Sequence, residues 1–379
     1  MKKSHNKEKS LAIWCEANTN IGLGHFTRCN AIAEVLSKTY KWKIHFMMGN
    51  GCVVSQKDID SCFELHTRHK NLTKNKNVNH WRLKVTLKVA ASAVLWDINE
   101  NIPEKFITEL RKRNICLVTL DDPTKKRLFC DLAFYPPVPQ VKKMNWDNFL
   151  GENYCGWDWV PLRTSLLKNR KRLDENEIIN KQELSLIISM GGSDPKGMIF
   201  HVLDVIESVD LPLKINVLLG PAFDKRYKVD NFIKTCKKKY SIYSDTFNVG
   251  KLFAEADLAI ISYGITAFEM ALLGTPSLLI CLTADHSEAA MTFDLDKISI
   301  NLGEFNTLTK RKLASKLEYL FKNNKERISM AKNGFEAVDG LGVVRIAEKI
   351  HNKVKKTPLV QLDNGQELHE DNFFSDIIK

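Results

Sequence analysis

The sequence predicts an α/β protein of two Rossmann-like, doubly wound domains. Three observations point there. Short apolar runs of strand length alternate with helical patterns from end to end. Strand, helix and strand in series mean parallel sheets with helical crossovers. The pattern lapses at 166–183, where nine of 18 residues are charged, and then restarts. At 379 residues the chain is long enough for about two ordinary domains. The expected division is 1–165, a linker at 166–183, a second domain at 184–356 and a polar tail at 357–379.

Leu11–Glu16 reads as the first strand. His25–Thr39 follows as a helix, with Phe26, Cys29, Ile32, Ala33 and Leu36 spaced by three and four. Ile44–Met48 and Ala93–Trp96 are strands, the second ending on Asp97. Pro103–Arg113 opens with a helix-starting proline. Ile115–Leu120 is a strand that ends on Asp121-Asp122. In the second half, Leu184–Met190, Leu213–Leu219, Leu258–Ser262 and Pro276–Leu282 read as strands. Helices are expected at Pro195–Glu207 and Ile265–Leu273, the latter closed by Gly274. Two more helical patterns cover about 307–333 and 339–353.

Composition narrows the function classes. A chain 44% hydrophobic and 27% charged is no collagen, long coiled coil or disordered polymer. The net charge of +11 favours anionic partners, but the lysines are scattered and read first as surface solubility. No recognition helix or RNA-binding signature occurs, so no nucleic-acid partner is expected. The nine cysteines are odd in number and lack a CxxC, which fits reduced thiols in a cytoplasmic protein. The apolar stretch 257–282 is broken by Glu269, two glycines and Pro276, so no membrane insertion is expected. No HExxH, EF-hand or GxSxG pattern appears; neither a metal nor a cofactor is expected.

Three constellations carry possible chemistry. The first is Asn20-Ile21-Gly22-Leu23-Gly24-His25, with Arg28 beyond it, at the end of the first strand. Ligands of open parallel sheets bind at such strand ends. Gly22 and Gly24 allow close backbone approach, and His25 suits general-base work or merely caps the helix. The second is Gly191-Gly192-Ser193-Asp194-Pro195, either a diphosphate cradle or a strand-to-helix turn capped by Ser193 or Asp194. The third is Gly264-Ile265-Thr266 with Glu269 inside an apolar helix. A lone carboxylate there needs a partner, such as a ribose diol, or a place on the wet edge of the helix.

Together, GxGHxxR, GGSDP and ExxxLGTP resemble the GT-B-type nucleotide-sugar enzymes. Among these the chain is most similar to the UDP-2,4-diacetamido-2,4,6-trideoxy-β-L-altropyranose hydrolases of pseudaminic acid biosynthesis. Asp121-Asp122 with Arg127 and Asp131, the stretch Gly156–Arg163, and Asp339–Ile346 extend the resemblance over about residues 11–350. The resemblance implies a GT-B-like pair of domains facing across a cleft, with UDP on the second domain and the sugar facing the first. It implies a UDP-sugar partner and hydrolysis to UDP and free sugar. The alternatives are a transferase using an acceptor hydroxyl and a non-catalytic nucleotide-sugar binder. His25 would activate water. Gly22, Gly24, Arg28 and Asp97 would face the sugar and diphosphate. Gly191, Gly192 and Ser193 would flank the nucleotide, with Gly264, Ile265 and Thr266 near the phosphates and Glu269 on the ribose. Three positions depart from the family pattern: Tyr263, Ile98-Asn99, and Asp285-His286. Of these, His286 would replace an amide that contacts sugar or phosphate, or stand solvated at a helix start.

Overall fold

The computed structural model describes residues 8–18, 22–49, 51–67, 75–98, 100–170, 174–175, 179, 181–244 and 249–356, with side chains omitted at 75–77 and 356. Asn20, Ile21, Asn99, part of the 166–183 linker and the 357–379 tail lie outside the described residues.

The first domain runs β1 (Ser10–Cys15), α1 (Gly24–Tyr40), β2 (Lys43–Met48), β3 (Glu64–Thr67), α2 (Asn75–Lys88), β4 (Ala93–Asp97), α3 (Glu104–Lys112), β5 (Cys116–Leu120), β6 (Leu132–Tyr135) and β7 (Glu152–Cys155). Its sheet has the order β3-β2-β1-β4-β5-β6-β7, with every pair parallel. β1, β4 and β5 are buried along their whole length, as strands covered by helices on both faces must be.

The second domain begins with β8 (Leu184–Ser189), α4 (Met198–Ser208), β9 (Leu213–Leu219), α5 (Arg226–Lys234), β10 (Tyr240–Ser244) and α6 (Val249–Ala254). It continues through β11 (Leu258–Ser262), α7 (Ile265–Leu273), β12 (Ser277–Cys281), α8 (Ala284–Ala289), α9 (Met291–Leu295) and β13 (Ser299–Glu304). Then come α10 (Lys310–Lys322), α11 (Asn324–Ala337) and α12 (Gly342–Lys356). Its parallel sheet has the order β10-β9-β8-β11-β12-β13. In both sheets the chain reverses its winding beside the first strand, at β1/β4 and β8/β11. A doubly wound sheet leaves its ligand crevice there.

Four expectations need adjustment. α4 starts at Met198 rather than Pro195, because the Asp194 carboxylate accepts the Met198 and Ile199 N–H groups at 2.8 and 2.9 Å. The 307–333 pattern is two helices, split where the Asn323 side chain accepts the Glu326 N–H and starts a new one. Val160 and Leu162 lie before the expected linker, and Leu166 within it; all three are buried in the second domain's core with Phe253 and Phe268. Finally α12, inside the stretch 184–356, packs onto the first domain. Val343, Ile346, Ala347, Ile350 and Val354 form one apolar face and share a core with β1 and α1. A Cβ at Gly342 would stand 2.1 Å from the Val160 carbonyl oxygen, so glycine lets this helix start where it does.

The last helix is therefore a clasp between the domains. Ile350→Ala should destabilise the first domain by about 2–5 kcal/mol, the usual cost of truncating a buried aliphatic side chain. Chemical denaturation followed by the fluorescence of the first domain's buried Trp14 and Trp96 checks this.

Candidate functional site

β4 ends on Asp97, and α1 begins beside it. This geometry brings three charged side chains together. Asp97 is 2% exposed. Arg28 Nε donates to its Oδ2 at 2.5 Å and Arg28 Nη2 to its Oδ1 at 2.6 Å, a two-pronged pair. His25 Nδ1 lies 2.5 Å from the same Oδ1. An ionised carboxylate only accepts, so Nδ1 carries a proton, and in the neutral ring the lone pair falls on Nε2. The 3.4 Å approach of Arg28 Nη2 to His25 Nδ1 is then a contact between two donors sharing one oxygen.

Burial by itself would raise the Asp97 carboxyl. The Arg28 charge, then His25, outweigh burial and hold it well below the usual carboxylate range. Arg28 is in turn pushed above its ordinary value: burial opposes this, and Asp97 overcomes it. Asp121, at the end of β5, lies 3.4 Å from Arg28 Nη1 and has the opposite fate. Burial raises it, and the weaker Arg28 contact does not compensate. His25, Asp97, Asp121, Thr119 and Pro123 line one concavity at the switch point of the first sheet.

The residues of the second domain face this point. Gly191, at φ +79°, turns the chain after β8, and a Cβ there would come 3.1 Å from Ser262 Oγ. A Cβ on Gly192 would sit 3.3 Å from Leu23 N and 3.5 Å from Gly22 Cα. The two glycine loops thus meet across the domain boundary. Gly22 itself has φ +80° and donates its N–H to the Asn18 carbonyl at 2.8 Å. Gly24 opens α1, and nothing crowds the place of its missing Cβ. Gly197 holds the N-cap position of α4, while the Asp194 carboxylate, with Ser193 before it, accepts the helix's first two N–H groups. Gly264 precedes α7 and offers no side-chain cap, so the Ile265 and Thr266 N–H groups lie at an uncapped helix N-terminus.

Glu269 is 2% exposed, which removes the wet-edge reading. Its partner is Arg163, whose Nε and Nη2 both donate to Oε1, at 3.0 and 2.5 Å. Burial raises the Glu269 carboxyl, and Arg163 only partly offsets this. His286 is not solvated either. It is half-buried on α8, its ring 5.8 Å from Tyr263, and its buried Nδ1 has no partner among the described residues. Burial lowers its pKa. Tyr263 reaches towards the first domain: burial, then the charge of Asp121, push its hydroxyl above the ordinary value. Gln140 and Lys143 of the first domain bond to Asp285 and Glu288 on α8, holding that side of the boundary together.

The structure thus brings His25, Arg28 and Asp97 together beside one concavity and sets Gly192 against Gly22 across the domain boundary; Gly191 lies beside Ser262, Gly264–Thr266 open α7, Glu269 is buried against Arg163, and His286 lies beside Tyr263. Two expected roles change. Asp97 and Arg28 are spent on each other and on His25, so they position the histidine rather than offer free contacts. Arg163 is the residue the sequence reading missed as part of the site. In the sequence it only ends the stretch Gly156–Arg163, and no local spacing joins it to Glu269.

No known family model matches the chain. It is 28% identical to an uncharacterised protein of Methanocaldococcus jannaschii, over 70% of this chain and 54% of that protein. It is 28% identical to the spore coat polysaccharide biosynthesis protein SpsG of Bacillus subtilis, over 51% of this chain and 56% of that protein. The chain thus spans about half the length of the curated relatives it matches. Among solved structures, MurG of Acinetobacter baumannii superposes with TM-score 0.64 at 13% identity, covering 91% of this chain and 99% of that one. MnaA of S. aureus, solved with UDP, superposes with TM-score 0.62 at 10% identity, covering 92% and 99%. The fold is GT-B-like. No helix among the described residues is long and apolar enough to cross a membrane.

Asp97→Asn removes the charge that Arg28 and His25 share. Breaking such a buried pair costs about 3–5 kcal/mol. Asp97 titrates lower in the fold than in the unfolded chain, where its value is about 3.9. Its contribution is therefore complete above that value and is lost as pH falls from there towards the lowered folded value. Urea unfolding of wild type and variant should show the full gap at neutral pH, and a gap that narrows only below about pH 4.

Proposed function

We propose that this chain is a GT-B-type nucleotide-sugar enzyme of surface-glycan biosynthesis. It hydrolyses a UDP-linked amino sugar of the 2,4-diacetamido-2,4,6-trideoxyhexose type to UDP and free sugar. The observation that carries the reading is the Asp97–His25 pair at the switch point, where the bond to Nδ1 makes Nε2 the basic nitrogen of the neutral ring. The sequence motifs support it, as do the likeness to SpsG, a spore coat polysaccharide biosynthesis protein, and the UDP in the MnaA structure.

In this mechanism His25 Nε2 takes a proton from water while the water oxygen attacks the anomeric carbon. Asp97, already ionised through Arg28, stabilises the imidazolium that forms. The bond from the anomeric carbon to the diphosphate oxygen breaks, and UDP leaves with the electron pair. Its growing charge meets the Ile265 and Thr266 N–H groups and the positive end of the α7 dipole. Gly191, Gly192 and Ser193 admit the diphosphate close to the backbone. Glu269, oriented by Arg163, accepts the ribose hydroxyls, and the bare Nδ1 of His286 accepts a hydroxyl or amide N–H of the sugar. None of the nine cysteines is in a disulfide, which fits the reducing cytoplasm as the place of action.

The test is UDP release from a panel of UDP-linked acetamido sugars without acceptor. The expected result is UDP plus free sugar from at least one substrate, with turnover in His25→Ala lowered by about 10²-fold or more while UDP affinity is kept. UDP release only after a hydroxyl acceptor is added would replace hydrolysis with transfer, the same base acting on the acceptor. UDP-sugar binding with no turnover in either case would leave a binding protein and refute the catalytic reading.

A further inference from the structure

Away from the crevice, at the outer edge of the first sheet, β2 and β3 bring two histidines and a glutamate together. Strand register places His45 opposite Glu64 and Met47 opposite His66. Glu64 and His66, two residues apart on one strand, point to the same face. His45 is buried, His66 half-buried and Glu64 exposed. His45 Nδ1 lies 3.3 Å from His66 Nε2 and 3.2 Å from Glu64 Oε2, and His66 Nε2 lies 3.6 Å from the same oxygen.

These three separations form a nearly equilateral triangle. Tetrahedral zinc with bonds of about 2.0–2.1 Å requires its ligand atoms about 3.3–3.4 Å apart. A shared proton satisfies one edge of such a triangle at a time, whereas a cation at its centre line satisfies all three. We propose that His45, Glu64 and His66 form a binding site for one borderline divalent cation of the zinc class, fastening β3 to β2. The donor set of two imidazoles and one carboxylate suits zinc better than calcium or magnesium, which prefer all-oxygen shells. Of the nearby lysines, Lys43 is paired with Glu8 at 2.8 Å, and Lys88 flanks His66.

The site has a plain structural use. β3 is a four-residue edge strand, paired on one side only, and its own side chains are half-buried or exposed. Such a strand has little apolar surface to hold it. A metal bridging the two strands supplies a cross-link that packing does not.

The test titrates metal-stripped full-length protein with Zn²⁺ against a chromophoric chelator, then repeats with Co²⁺ for its visible spectrum. One bound equivalent is expected, weakened by about tenfold or more in His66→Ala and in Glu64→Gln. The Co²⁺ form should show ligand-field bands without thiolate charge transfer. His66 is half-buried and Glu64 exposed, so both variants should fold, and circular dichroism confirms that they do. Equal Zn²⁺ affinity in wild type and His66→Ala, a thiolate band pointing to the cysteines, or no stoichiometric binding would each overturn the proposal.

Discussion

Arg28, Asp97 and His25 form the interaction on which the site depends. A carboxylate that is 2% exposed is tolerable only when its charge is met, and Arg28 meets it from two directions. With Asp97 held ionised, His25 has one orientation and one tautomer. The helix that carries both Arg28 and His25 starts at the glycine loop, so the two are a single turn apart on one face. Position, tautomer and direction of the imidazole thus follow from one buried charge at a strand end.

The rest of the molecule arranges a second domain around that point. The Gly22–Leu23 turn comes close to Gly192, where a Cβ would crowd Leu23 N at 3.3 Å. α12 then closes the arrangement from behind, leaving the second domain to pack on the core of the first. The segment from Val160 to Leu166 runs the opposite way, into the second core. The two domains are therefore joined by exchanged pieces as well as by a linker. On this framework Arg163, carried by one exchanged piece, reaches Glu269 on the other domain's helix.

Much of this was legible in the sequence, and the remainder was hidden for physical reasons. Buried parallel strands such as β4 and β11 announce themselves as short apolar runs, and α7 is framed by Gly264 and Gly274. β3 and β7 are edge strands with mostly exposed or half-buried residues, so no apolar run marks them. The direction of α12 was unreadable because an amphipathic face does not say which core it enters. His25 was legible as the residue after GxG at a strand end. Its dependence on Asp97 was not, since only the β1–β4 pairing brings these residues together. Glu269 was legible as a carboxylate in need of a partner, but Arg163, 106 residues away, was not identifiable as that partner.

Asp97 fixes His25 with a proton on Nδ1, which leaves Nε2 of the neutral ring with the lone pair. Nitrogen-15 NMR of the imidazole rings, with His25 assigned by comparison with His25→Gln, measures this directly. The expected result is a neutral His25 ring with a protonated Nδ1 and a bare Nε2. A neutral ring protonated at Nε2 would contradict it, because Asp97 would then not be orienting a base towards the crevice.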